Sequence, residues 1–210
     1  MKIYAVLALA ALALSACGHA KDEAQKASEE TELRSTKWVS NCDTSGVIWA
    51  TAGVKSSNTV YDFQNGDAGK TIQFFGAPDC NQSTLIAQAT FKGTQDIGGV
   101  AANGSARTLD LNYQQAIVTV SSQDLVNALN SAFVPSCGIN DWKVGQGRDV
   151  TSASGGANCM IIPKTPAMSY DVVHTDGQQM QLGLKDVAHD ATTQEKRPVQ
   201  LDNVNGYHKL

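Results

Sequence analysis

An all-β, mainly antiparallel fold is predicted by three observations. Short segments alternate apolar and polar side chains with period two, Gly/Asn/Asp turn residues separate them, and one stretch alone has helical spacing. The count of eight or nine strands with one short helix suits a small barrel-like meander, with a β-sandwich as the alternative. Closure into a barrel also removes unpaired edges.

Taken in order, Thr36-Lys37-Trp38-Val39-Ser40 opens the domain, and residues 43–57 carry neither period clearly. In Thr59–Asn65, Tyr61 and Phe63 share one face while Asp62 and Gln64 share the other. The turn at 65–69 leads into Lys70–Phe75, where Ile72 and Phe74 share a face. Leu85–Lys92 alternates Leu85, Ala87, Ala89 and Phe91 against Gln88, Thr90 and Lys92. Arg107–Tyr113 alternates Leu109, Leu111 and Tyr113 against Thr108, Asp110 and Asn112, and Ala116–Val120 follows. This is the pattern of half-buried strands.

The helix is expected after Ser121, with Asp124 three residues on, Leu125, Leu129 and Phe133 along one side, and Pro135 at its end. The Gly-, Ser- and Pro-rich stretch 137–166 reads as a long loop. Ser169–Thr175 and Gln178–Leu184 flank Asp176-Gly177, a strong two-residue hairpin turn. A polar stretch over 185–197 precedes a last strand near Tyr207–Leu210.

Five cysteines are present. Cys42, Cys80, Cys137 and Cys159 form an even set, which in a secreted chain favours two disulfides over free thiols. Four cysteines allow three connectivities. The expected pairs are Cys42–Cys80 and Cys137–Cys159, because each flanks what reads as a separate module. No C-x₂-C pair or neighbouring histidine points to a metal, so no metal site and no cofactor are expected.

The fifth cysteine stands apart, in MKIYAVLALAALALSAC. Lys2 supplies a positive region, and Ile3 to Leu14 form an apolar run long enough for a secretory signal but short of the roughly 20 residues that span a bilayer. Leu14-Ser15-Ala16-Cys17 resembles the lipobox of bacterial lipoproteins. That resemblance implies acylation of Cys17, including palmitate, and cleavage before it. It also implies anchoring in the outer membrane, since Gly18 stands where inner-membrane lipoproteins typically carry Asp. More than one acyl chain is needed to hold firmly.

The expected organisation is therefore a signal peptide over 1–16, the lipidated Cys17 with a flexible tether to residue 35, and a single β-rich domain over 36–210. The tether assignment rests on composition: residues 18–35 contain no aromatic residue and one large aliphatic one, Leu33, although a transient helix over Asp22–Glu32 is compatible with it. Removing Lys2 with the signal leaves fifteen basic against twenty acidic residues, a net charge of about −5. With no basic cluster, a nucleic-acid partner is not expected.

Chemistry-bearing patterns are few. No G-x-S-x-G elbow frames a nucleophile, and Gly145-Gln146-Gly147 lacks a strand–Gly–helix context, so no catalytic residue is assigned and a non-enzyme is expected. Tyr170, Val172 and His174 share one face of their strand. If that face lines a barrel, Tyr170 and His174 are candidate ligand-binding residues, with His174 near the mouth. Trp142, close to Cys137, either anchors a partner or packs over the second disulfide.

The early Trp38 on a first strand, followed by an antiparallel meander, resembles lipocalin-like barrels, several of which are bacterial lipoproteins; here Thr36 replaces the family's usual glycine two residues earlier. The function expected is a lipid-anchored, non-enzymatic binding module for a small apolar ligand or an envelope protein. A structural, envelope-interaction protein without a ligand cavity is the alternative.

Overall fold

The period-two segments become nine strands in the computed structural model, which describes residues 23–45, 53–102, 104–159 and 162–210. They are β1 (Lys37–Ser40), β2 (Ser56–Asp62), β3 (Asp67–Phe75), β4 (Leu85–Val100), β5 (Arg107–Val120), β6 (Gly147–Asp149), β7 (Ala167–Thr175), β8 (Gln179–Leu182) and β9 (Tyr207–Lys209). Two helices accompany them, α1 over 23–35 and α2 (Gln123–Ser131). Eight strands pair in the order β1-β2-β3-β4-β5-β7-β8-β9, and β9 pairs back to β1, so the sheet closes into an antiparallel barrel. The short β6 is the extra strand, added beside the far end of β5.

The inward face follows from register. Across β1 to β4, Trp38 lies opposite Tyr61, Tyr61 opposite Lys70, and Lys70 opposite Phe91. Residues directly opposite share a face of the sheet. The barrel core takes Trp38, Tyr61 and Phe63 from this side and Leu109, Leu111, Val173, Met180 and Leu182 from the other.

Each end of the barrel carries an added element. At one end lies α1, which composition alone assigns to a tether. Residues 23–35 are instead helical, and Leu33 is 1% exposed against Trp38, whose indole donates to the Leu33 carbonyl at 3.1 Å. Arg107, 2% exposed in its side chain, meets Glu29 at 3.0 Å, and Lys209 pairs with Glu32. One buried leucine and these ion pairs hold a helix too polar to announce itself.

At the other end, β3, β4 and β5 run on past the barrel and carry an annex. Phe74, Ala87, Ala89, Phe91, Ala116, Val118 and Val120 pack against Leu125 and Val126 of α2, Trp142, Val150, Ile162 and the Cys137–Cys159 disulfide. Both expected disulfides form, with Cys42–Cys80 closing a separation of 38 residues and Cys137–Cys159 one of 22.

Local differences from expectation have specific causes. The strand expected to end at Lys92 continues to Val100, and the two segments after Arg107 are one strand. A β-bulge at Lys92/Gly93 joins them: Lys92 faces Gln115 while Gly93 faces Tyr113, leaving Gln114 extra. The bulge returns Tyr113 and Ala116 to the same face despite their odd spacing. Gly93 is required there, because a Cβ would lie 1.8 Å from the Asn112 carbonyl oxygen. The helix cap is Ser122 rather than Ser121, its hydroxyl accepting from the Leu125 amide at 3.3 Å. α2 ends at Ser131, so Phe133 leaves the helical face and stands fully exposed.

Candidate functional site

Along β2, β3, β5 and β9, the inner face changes from apolar to polar near the middle of the barrel. Tyr61, Lys70, Tyr113 and Tyr207 converge there from four strands. The Tyr61 and Tyr207 rings meet edge-on at 5.3 Å, Phe91 meets Tyr113 edge-on at 6.0 Å, and the Lys70 ammonium lies 5.8 Å from the Tyr61 ring centre. Gln95 enters from β4, donating through Nε2 to the Phe63 carbonyl at 3.1 Å. Its Oε1 and the Tyr113 hydroxyl are buried with no hydrogen-bond partner among the described residues.

The electrostatics are those of a desolvated cluster. Burial pushes the Lys70 ammonium down from its usual range, and Asp171 opposes that shift. Burial pushes Tyr61, Tyr113 and Tyr207 up, and the negative charge of Asp171 adds to each. The Asp171 carboxylate has three closer partners of its own. Its Oδ1 accepts from the Val172 amide at 2.8 Å and the Gly183 amide at 2.9 Å, and its Oδ2 pairs with Lys185 at 3.2 Å. Lys70 makes neither a hydrogen bond nor an ion pair among the described residues.

These residues border open space. Lys70, Ile72, Thr59, Tyr113 and Tyr207 all retain accessible surface although they face inward. For Lys70 and Tyr113, burial is the largest cause of the shift, as their inward placement implies. Thr59 and Tyr207 also line a cleft of about 270 Å³ at the annex end, with Ser40, Ser57, Asn58 and Asn205.

The residues singled out from sequence lie elsewhere and are not brought together. Val173, not Val172, belongs to the barrel core, so Tyr170, Val172 and His174 face outward and the inward assignment is corrected. Alternation cannot choose the face because both are covered. Val172 is buried outside the wall with Ala101, Ala106 and Leu201. Tyr170 lies under Arg197, whose guanidinium sits 5.7 Å from its ring centre and also binds Asp110 at 2.6 Å. His174 lies in an outer groove beside Gln25, Ser28 and Glu29 of α1, with a buried Nδ1 that has no partner among the described residues.

Trp142 is 3% exposed in the annex core with Cys137 and Cys159, its indole donating to the Ile139 carbonyl at 3.1 Å. It is a packing residue. Cys17 lies outside the described residues.

Lys70 carries a sequence signature that alternation alone reads past: it has the parity of Ile72 and Phe74, and so stands on an apolar face. Among the described residues, no three or more His, Cys, Asp or Glu side chains gather as metal ligands, and no helix is long and apolar enough to cross a membrane. No protein-family model matches the chain, and no curated protein matches it.

Proposed function

We propose that this chain is a lipid-anchored envelope lipoprotein whose barrel is a non-enzymatic binding module for a small ligand. The observation that supports the binding reading is the inward-facing set of Lys70, Ile72, Tyr113 and Tyr207 in a closed barrel, none of which is fully buried. Concave sites with an apolar lining and a few convergent polar groups are where small molecules bind. A second reading, docking of an envelope protein, is favoured by the fully exposed Phe133 beside the half-exposed Val134 at the tip of the annex.

The anchoring half of the proposal rests on the apolar run before Leu14-Ser15-Ala16-Cys17 and its resemblance to a lipobox. Acylation at Cys17 with Gly18 following supports an outer-membrane destination. Metabolic labelling with radioactive palmitate in a bacterial host with two membranes tests it. The wild-type chain is expected to take up label and fractionate with the outer membrane, and Cys17→Ser to do neither. Label retained by Cys17→Ser overturns the anchor.

A further inference from the structure

The barrel interior holds a cation with no direct ion-pair partner among the described residues. Lys70 shares the inner face with Trp38, Tyr61 and Phe91, yet makes no ion pair or hydrogen bond among the described residues. Asp171, the anion that acts on it, is already held by two backbone amides and Lys185. Phe91, opposite Lys70, meets the Tyr113 ring edge-on at 6.0 Å, and the buried Tyr113 hydroxyl has no hydrogen-bond partner among the described residues. Water can satisfy a hydroxyl or an amide oxygen in such a space. It leaves the charge of a desolvated ammonium largely uncompensated, and buried charges are ordinarily paired.

The side chains around the cation define the rest of the site. Ile72 is two residues further along the same inner face, towards the annex, and Phe91 lies directly opposite Lys70. Thr59, opposite Ile72, lines the 270 Å³ cleft that opens at that end. Along this inner face the side chains therefore run from cationic and phenolic, through apolar, to the polar rim at Thr59.

We propose that the ligand is an amphiphile with an oxyanion head. The head sits between the Lys70 ammonium and the Tyr113 hydroxyl, and the apolar part runs along Phe91 and Ile72 towards the mouth. This rests on the reading of the barrel as a binding module and deepens it by naming the ligand class.

The test uses 11-(dansylamino)undecanoic acid and its uncharged methyl ester, with wild type, Lys70→Met and Tyr113→Phe, each first checked for a native circular-dichroism spectrum and cooperative urea unfolding. Wild type is expected to bind the acid, with the affinity falling about tenfold or more in Lys70→Met and severalfold in Tyr113→Phe. The ester is expected to bind all three alike. A wild-type measurement stands independently of folding: acid affinity falls as the pH rises through the depressed Lys70 value, whereas ester affinity does not.

Acid and ester binding equally to wild type, with no loss in Lys70→Met, overturns the oxyanion site and leaves the binding module standing. Binding of neither probe overturns both. Phosphate or acetate alone displacing the acid from wild type, with no ester binding at all, replaces the amphiphile by a small free oxyanion and overturns the apolar half of the proposal.

Discussion

The barrel core and the annex core share the three long strands β3, β4 and β5, yet they solve opposite problems. The annex buries Val54, Phe74, Trp142, Val150, Ile162 and a disulfide, an apolar cluster whose groups with shifted titration, Asp141, Arg148 and Asp149, lie on its surface. The barrel places Lys70 and three tyrosines inside its wall and leaves two of its polar atoms unsatisfied. Dry packing stabilises; a desolvated polar interior costs free energy and marks a place where a structure departs from its own optimum. Under the proposed function, that division gives stability to the annex and binding to the barrel.

The sharpest way to break that division is at the hinge between the two. Gly93 forms the bulge that keeps Tyr113 facing the barrel while Ala116 faces the annex. Gly93→Ala forces a methyl group to within 1.8 Å of the Asn112 oxygen, so backbone must shift in both units. The expected loss is roughly 4 kcal/mol or more in urea unfolding, at the severe end for a single substitution. A loss under about 1 kcal/mol would mean that the bulge relaxes freely and does not tie the two cores together.

A smaller effect is expected from cutting the annex alone. Replacing both Cys137 and Cys159 by Ser removes a cross-link across 22 residues, worth about 3 kcal/mol in the chain-entropy account. Amide exchange should rise across 121–165 and stay slow in β1, β2 and β8. Equal loss of protection in β2 would show that the annex and barrel unfold as one unit.

What can be read from the sequence follows the same boundary. Alternation places Tyr61 with Phe63 and Leu109 with Leu111, and the structure buries all four in the barrel core. The cysteine pairs are readable because each flanks a locally closed segment. Legibility ends where two periods meet or where both faces are covered. Gly93, Gly98 and Gly99 hide the second half of β4, and the paired valines 172 and 173 leave the face of β7 undecided. A helix near Asp22–Glu32 is compatible with the sequence, but its docking is hidden because a single leucine anchors it, its other attachments being ion pairs that any exposed polar helix also offers. The candidate site is hidden for a related reason: one lysine at an apolar parity looks like a strand end until closure turns that face inward.

The smallest expected effect is also the most specific to the barrel, because it is a difference in pH slope. Burial lowers the folded-state value of Lys70 below the ordinary 10.5, so between those two values the unfolded chain binds the proton and the folded chain does not. Stability then rises with pH across that window, as the cost of the buried charge is relieved. The tyrosines act in the opposite sense. Their folded-state values lie above the ordinary 10.0, so above that pH the unfolded chain loses protons that the fold retains, and stability falls. Subtracting the urea-unfolding profile of Lys70→Met from that of wild type isolates the first contribution, since the tyrosines are common to both. The difference should favour the variant at neutral pH and narrow as the pH approaches 10.5. A difference that stays flat from neutral to alkaline pH would place the Lys70 ammonium in water, and the barrel interior would then carry no buried cation for a ligand to meet.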